Sequence, residues 1–181
     1  MQYDFLKDFT RRMKCVGLYA LLYDNSSQKY IWKERGFNTL DEQLNVIFSV
    51  MLYIMEQSLK EESCTTDNIT VFLDSLNEKY YKKSMSYDEC SDLAKFIVNV
   101  VLSNEGRPMY FGGYDYEQQE MMELHISYVN NRIIYDEQDV RRTSYYLTDD
   151  GYNLLLGTLE VESNLKLTIQ EMIFKLHLEK Q

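Results

Sequence analysis

A single proline, Pro108, stands among the 181 residues, and only Gly17, Gly36 and Gly106 precede it out of seven glycines. Proline removes a backbone donor, and glycine carries extra unfolded-state entropy, so both interrupt helices. With so few breakers, the 107 residues ahead of Pro108 are free to form long helices and ill suited to a strand-rich sandwich. The length fits one domain, or one compact domain with a helical appendage. Sixteen tyrosines, eight phenylalanines and many aliphatic residues supply apolar area to bury, which argues against disorder.

Periodicity places the elements. Residues 3–23 read as a first helix with Leu6, Phe9, Met13, Val16 and Leu22 on one face. Asp24 to Gln28 reads as a loop, and Tyr30, Ile31 and Trp32 as an apolar connection. Thr39 and Glu42 form a T-x-x-E capping box ahead of Leu44, Ile47, Phe48, Met51, Leu52, Met55 and Leu59. Thr66 is expected to cap a helix carrying Ile69, Phe72, Leu73, Leu76 and Tyr80. Ser86 and Glu89 form a second capping box, followed by Leu93, Phe96, Ile97, Val100 and Val101. That order is a helix-turn-helix.

The character changes at Pro108. Gly112-Gly113 reads as a turn, and residues 114–123 as an acidic loop. Leu124, Ile126 and Tyr128 alternate as in a strand. Residues 133–136 and 141–147 flank Glu137 to Val140 as a β-hairpin where a wing would sit. Thr148 caps a further helix with Asp149 and Asp150 in its first turn. From Leu159 a second amphipathic segment carries Leu165, Ile169, Met172, Ile173 and Leu176. It ends in mid-pattern at Gln181, which implies that the full protein continues. The expected fold is mainly α with a small β-hairpin: a winged-helix (wHTH)-like domain with additional N-terminal and C-terminal helices. Residues 1–64 are its N-terminal helical part, 65–157 the winged-helix-like core, and 158–181 the start of a C-terminal helical segment.

Catalytic signatures are missing from this pattern. There is no G-x-x-x-x-G-K-[ST] and no G-x-G-x-x-G. His125 and His177 lack zinc-helix spacing. The acids Asp115, Glu117, Glu120 and Glu123 lack the ligand spacing of a calcium loop. Cys90, in a first helical turn, could have its pKa lowered by the dipole but reads better as a buried structural thiol. Cys15, Cys64 and Cys90 are odd in number and far apart, which fits buried free thiols in a reducing compartment. With no apolar signal core and no run of about 20 apolar residues, the expected location is cytoplasmic. No enzyme activity, cofactor or metal is expected.

Charge bears on DNA binding. The chain carries 19 Lys and Arg against 29 Asp and Glu, a net of −10. In a winged helix the second helix of the pair enters the major groove. Its solvent face here should be Tyr87, Asp88, Ser91, Asp92, Lys95 and Asn99. Residues 86–104 hold Lys95 against Asp88, Glu89 and Asp92, so that helix is repelled by phosphates. Arg141 and Arg142, at the base of the wing, are the only credible phosphate contacts. The same surface suits a protein partner better than DNA. The stripe Leu165, Ile169, Met172, Ile173 and Leu176 either packs back on the domain or faces a partner.

Two segments resemble a known family. Tyr145-Tyr146-Leu147-Thr148-Asp149-Asp150-Gly151-Tyr152-Asn153-Leu154-Leu155 is similar to the last wing strand and following helix of many winged-helix proteins. Its continuation, Thr158-Leu159-Glu160-Val161-Glu162-Ser163-Asn164-Leu165-Lys166-Leu167-Thr168-Ile169-Gln170-Glu171, resembles the JetA family, kleisin-like subunits of Wadjet anti-plasmid systems. The resemblance covers about residues 143–176. JetA-like proteins are similar to the MukF kleisins of bacterial SMC complexes. The resemblance implies a non-catalytic scaffold whose N-terminal winged-helix region self-associates and whose following helices contact an SMC-like ATPase, beside a small kite-type subunit. ATP hydrolysis and DNA cleavage would belong to the partners, and DNA would be met weakly or through the complex. The alternative is a winged-helix DNA-binding transcriptional regulator.

Overall fold

The computed structural model describes residues 3–159 and the helix Ser163–Glu179, the latter with side chains from 170 onward. After a 3-10 turn at Asp4–Leu6, helix α1 spans Phe9–Ser26. It thus starts later and ends later than the apolar spacing implies. Gly17, Leu18, Leu22 and Ser26 are its buried residues, whereas Val16 faces solvent. The expected face was therefore wrong at Val16: the buried stripe is set by what packs on α1. A short helix α2 (Tyr30–Glu34) carries Trp32 into the core. There its indole N–H donates to the Ser26 carbonyl, and its ring meets Phe37 and Phe96 edge-on. Tyr30 stays outside.

Helix α3 (Leu40–Leu59) is capped by Thr39, whose hydroxyl accepts from the Glu42 N–H. The reciprocal bond of a full box is replaced by the Thr39 hydroxyl donating to the Glu42 carboxylate. Helix α4 (Thr66–Leu76) is capped by Thr65 and not Thr66, because Asn68 three residues on closes the box with Thr65. A π-turn, Asn77–Tyr81, prolongs α4 to Lys82 in the left-handed region. Buried Asn77 then ties the turn together: its amide donates to the Lys83 carbonyl and its oxygen accepts from the Lys83 N–H. Helix α5 (Tyr87–Phe96) opens with the Ser86–Glu89 capping box and runs on through the π-turn Ile97–Leu102. A left-handed Gly106 precedes Pro108 and the change to β-structure.

Two antiparallel hairpins follow. Strands β1 (Met109–Asp115) and β2 (Glu120–Ile126) pair with Gly112 opposite Glu123 and Gly113 opposite Met122. Gly112-Gly113 is therefore strand rather than turn, and residues 114–123 form a hairpin rather than a loop. The reason is close packing on α1. A Cβ on Gly113 would lie 2.8 Å from Leu124 and 3.2 Å from Met13, and one on Gly17 would lie 2.7 Å from Phe111. Glycine here lets a strand and a helix approach each other.

Strands β3 (Val129–Tyr135) and β4 (Arg141–Leu147) form the expected hairpin. On the far side of β4 the α3–α4 connection adds a short third rung. The Cys64 carbonyl accepts from the Tyr145 N–H, and the Cys64 N–H donates to the hydroxyl of buried Ser144. A helix, a short strand-like rung, two helices in a helix-turn-helix and a terminal hairpin make a winged helix. The β1–β2 hairpin is inserted between its recognition helix and its wing. Thr148 then caps helix α6 (Asp149–Leu156) by accepting from the Gly151 N–H, and helix α7 (Ser163–Glu179) follows.

One buried cluster joins these parts. Leu18 and Leu22 of α1, Val46, Ile47, Val50 and Ile54 of α3, and Leu73, Leu93 and Ile97 of the helix pair meet Ile126, Tyr128, Leu147 and Leu154. The core therefore runs unbroken across Cys64. Gly151 marks its tightest seam, since a Cβ there would lie 2.5 Å from the Tyr128 carbonyl oxygen and 2.9 Å from Leu147. Alanine is worth about 1 kcal/mol more than glycine inside a helix. Forcing a methyl against a backbone carbonyl costs about 1–3 kcal/mol. Gly151→Ala should therefore destabilise the fold despite its helix propensity, lowering the urea midpoint; an unchanged or raised midpoint would show that the seam is loose.

Candidate functional site

The recognition-helix position of the winged helix is α5. Its solvent face is as spacing implies: Tyr87, Asp88, Asp92, Lys95 and Asn99 are exposed and Ser91 is half-buried. The Ser86 cap holds Glu89 in place, and the backbone N–H of Ser86 holds its carboxyl below the ordinary value, aided by the Arg35 guanidinium. Arg35, from the α2–α3 connection, is largely covered by its neighbours. It lies 3.1 Å from Glu89 and 3.5 Å from Asp92. Among the described residues, its Nε is the one buried side-chain nitrogen or oxygen without a hydrogen-bond partner. Sequence spacing gave no sign of Arg35, because its partners lie more than 50 residues away. The cation is spent inside the domain, so what α5 presents outward is Asp88, the outer side of Asp92 and a single lysine.

On the wing, Arg142 is likewise engaged. Its Nε lies 3.3 Å from Asp136 and another nitrogen 3.7 Å from Asp67 at the start of α4. Asp136 also shapes the wing turn, accepting from the Gln138 and Val140 N–H groups. These bonds, with Val140 foremost, keep its carboxyl below the ordinary value. Arg142 thus bridges wing and helix while staying partly exposed, and Arg141 and Arg132 are exposed on the same hairpin. The structure does not gather α5 and the arginines into one basic surface. An open groove of about 550 Å³ beside the wing is bounded by Glu61 and Glu62 on one side and by Arg132, Tyr146 and Tyr152 on the other.

The second candidate surface is α7. Leu165 and Ile169 have side chains outside the described residues. Met172, Ile173 and Leu176 are exposed, Met172 at 59%. So are Phe174, at 64%, and Leu178. At 100° per residue Met172, Ile173 and Leu176 share one side of the helix, while Phe174 and Leu178 lie on another. Every residue from 170 to 179 is exposed. A helix with apolar side chains on more than one face needs cover on more than one face, and over this stretch the domain gives none. Phe174 and Leu178 fall outside the single stripe that spacing picks out, because a stripe rule keeps one face only.

Chemistry is sparse. Among the described residues no group of three His, Cys, Asp or Glu side chains is placed to hold a metal ion. The acids Asp115, Glu117, Glu120 and Glu123 are spread along the β1–β2 hairpin, where Asp115 accepts from the Glu117 and Gln118 N–H groups to form the turn. His125 is exposed on β2 beside Tyr110, and His177 is exposed on α7. Among the described residues no helix is long and apolar enough to cross a membrane. Cys64 and Cys90 are buried, but Cys15 is exposed, against the expectation of three buried thiols. Burial pushes the Cys64 thiol up to about 12. Burial, helped by Asp74, also raises Cys90, so the helix dipole does not prevail there.

These features define a mainly helical, winged-helix-like protein with an acidic face on α5 and a C-terminal helix exposed over residues 170–179. No protein-family model, no curated protein and no solved structure matches the chain.

Since the thiolate is the reactive form, thiol labelling should separate the cysteines. Native protein should take up one equivalent of Ellman's reagent quickly, at Cys15, and the remaining two only on unfolding; fast uptake of three would mean that the domain opens around Cys64 and Cys90.

Proposed function

We propose that the chain is a non-catalytic, kleisin-like scaffold subunit of an SMC-type plasmid-defence complex of the Wadjet kind. It self-associates and binds the SMC-like ATPase, with the small kite-type subunit beside it, in the cytoplasm. The observation that carries this reading is α7, whose exposed apolar side chains on two faces call for protein partners. Three points support it. The wing-to-helix segment and its continuation resemble JetA-like proteins. The α5 surface is acidic, so it repels a polyanion and suits a basic protein surface. The cations Arg35, largely covered, and Arg142, partly exposed, are already paired with carboxylates of the chain itself.

A second reading, a winged-helix DNA-binding transcriptional regulator, is favoured by the winged-helix order and by exposed Arg132 and Arg141 on the hairpin. Salt separates the two. A regulator would shift duplex DNA in a gel, with affinity falling steeply as salt rises.

The experiment is co-expression with an SMC-like ATPase and a kite-type subunit encoded beside the gene, followed by affinity capture. The expected result is a stoichiometric complex with wild-type chain and its loss with Ile173→Asp plus Leu176→Asp, both solvent-facing and so neutral for the fold. In parallel the isolated chain should leave duplex DNA unshifted at near-physiological salt. Capture of no ATPase, together with a salt-sensitive DNA shift lost in Arg141→Ala, would replace the scaffold reading by the regulator.

A further inference from the structure

The β1–β2 hairpin uses only one of its faces inside the domain. Met109, Phe111 and Gly113 of β1, with Leu124 and Ile126 of β2, turn toward α1 and the core. Side chains alternate along a strand. Tyr110, Gly112 and Tyr114 therefore form the outer face, together with the residues opposite them, His125, Glu123 and Met121. Tyr110 is 52% exposed and Met121 64%. Glu123 and His125 are exposed as well, and Tyr114 is half-buried.

This face has a gap in it. The Tyr110 ring leans on His125, with centroids 5.5 Å apart, and the Tyr114 ring leans on Tyr116 at 4.8 Å. Between the two tyrosines β1 presents no side chain, because position 112 is glycine. Met121 reaches into the gap, its Sδ 3.1 Å from where a Cβ on Gly112 would stand. Four residues of extended chain set the two tyrosines about 14 Å apart. A helix with its side chains is about 10–12 Å across, so one fits between the rings with Met121 as its floor. Methionine is unbranched and adapts to what lies on it.

Charge selects the occupant. Residues 109–126 hold Asp115, Glu117, Glu120 and Glu123 and no lysine or arginine. Among the described residues none of these carboxylates forms an ion pair with a lysine or arginine. The acids of α5 differ, since Glu89 and Asp92 share Arg35. Asp115 is used in the hairpin turn. Glu123 stands directly across from Gly112, at the gap itself, and Glu117 and Glu120 stand at the tip. A cation entering the gap meets a carboxylate and the faces of tyrosine rings, both of which attract it. An anionic occupant is repelled.

We propose that the outer face of the β1–β2 hairpin docks an amphipathic helix of a partner protein that carries lysine or arginine beside its apolar residues. The apolar side chains settle on Tyr110, Tyr114 and Met121, and the basic ones reach Glu123, Glu120 and Glu117. Tyrosine is enriched among the residues that dominate protein interfaces, where it supplies contact area at low entropic cost. The face shares no residue with α7, and the inference does not rest on the scaffold reading.

The test is a titration of the full chain, labelled at its methionine methyl groups, followed by nuclear magnetic resonance. The probes are two short synthetic amphipathic helices, one of leucine and lysine and one of leucine and glutamate. Met121→Leu assigns the Met121 signal. The lysine helix should shift that signal saturably, and the glutamate helix should leave it in place. Glu120→Lys combined with Glu123→Lys should weaken the lysine helix several-fold, as should Tyr110→Ser, with circular dichroism unchanged because these side chains are exposed. A Met121 signal that the lysine helix does not move overturns the proposal, and so does one that both helices move equally. A shift that survives the double charge reversal overturns it too. A Met121 shift that grows with protein concentration in the absence of peptide would give the face to a second copy, and the proposal would fall. Met172 reports on α7 in the same spectra: a shift there alone places the probe on α7 and counts against the hairpin. ATPase capture is scored apart, so loss of the hairpin site leaves the scaffold reading standing, and failed capture leaves the hairpin site standing.

Discussion

Tyr128 is the point at which the two halves of the chain are locked together. It is fully buried between β2 and β3, and its hydroxyl donates to the Leu18 carbonyl in the middle of α1. Its own carbonyl accepts from the Thr148 N–H at the cap of α6, and the backbone of Gly151 must run close against that oxygen. One residue thereby ties the N-terminal helix, the junction of the hairpins and the helix after the wing. Burial raises the phenol's pKa, so it remains a neutral donor across any ordinary pH. A phenol taken out of water needs a partner, because an unmet buried donor costs about 1–3 kcal/mol. The α1 carbonyl supplies it, and α1 is held at one height against the strands. With that height set, Gly17 meets Phe111 and Gly113 meets Met13.

The helical half was legible in the sequence because its signals are local. Ser86 with Glu89 and Thr148 with Gly151 are caps whose partners lie three residues apart, and both appear as expected. The β3–β4 hairpin was legible for the same reason, since β-prone runs flank a short, mostly acidic segment, although β3 starts at Val129, four residues before the expected run. What stayed hidden depends on distant contacts. Gly112-Gly113 carries a turn composition, but α1, about 100 residues earlier, selects Gly113 for closeness. The 65/66 cap was misplaced because threonine stands at both positions, and only Asn68, one residue nearer than an acid at position 69 would be, decides between them. Val16 was assigned to the core because an apolar stripe shows that something must cover it, not where the cover lies.

The candidate surfaces divide along the same line. The acidity of α5 was plain from Asp88, Glu89 and Asp92, since charge needs no fold to be counted. That Arg35 reaches across from the α2–α3 connection to engage two of them was not. The arrangement has a consequence for partner choice. An ion pair shielded within the domain contributes little to the field outside it, whereas Asp88 and the outer side of Asp92 act over about a Debye length, near 8–10 Å in physiological salt. The surface therefore looks more acidic to a partner held near Tyr87 than to one near Ile97. Arg142 on the wing is paired with Asp67 and Asp136 as well, but these side chains stay partly exposed and solvent screens them. Here Arg35 ties the α2–α3 connection to α5, and Arg142 ties the hairpin to the start of α4.

Exposed apolar side chains occur along the whole domain, Leu52, Val71, Tyr110 and Ile133 among them, but α7 gathers Met172, Ile173, Phe174, Leu176 and Leu178 within one short helical stretch. The core is already filled by α3, α4 and α5, whose inward residues are almost wholly buried. Adding α7 to that core would require room that close-packed side chains do not leave. An amphipathic helix that cannot enter the core must either lie on a matching surface or remain in water at a cost that grows with each uncovered side chain. On the proposed scaffold reading, that cost is what a protein partner of α7 would remove.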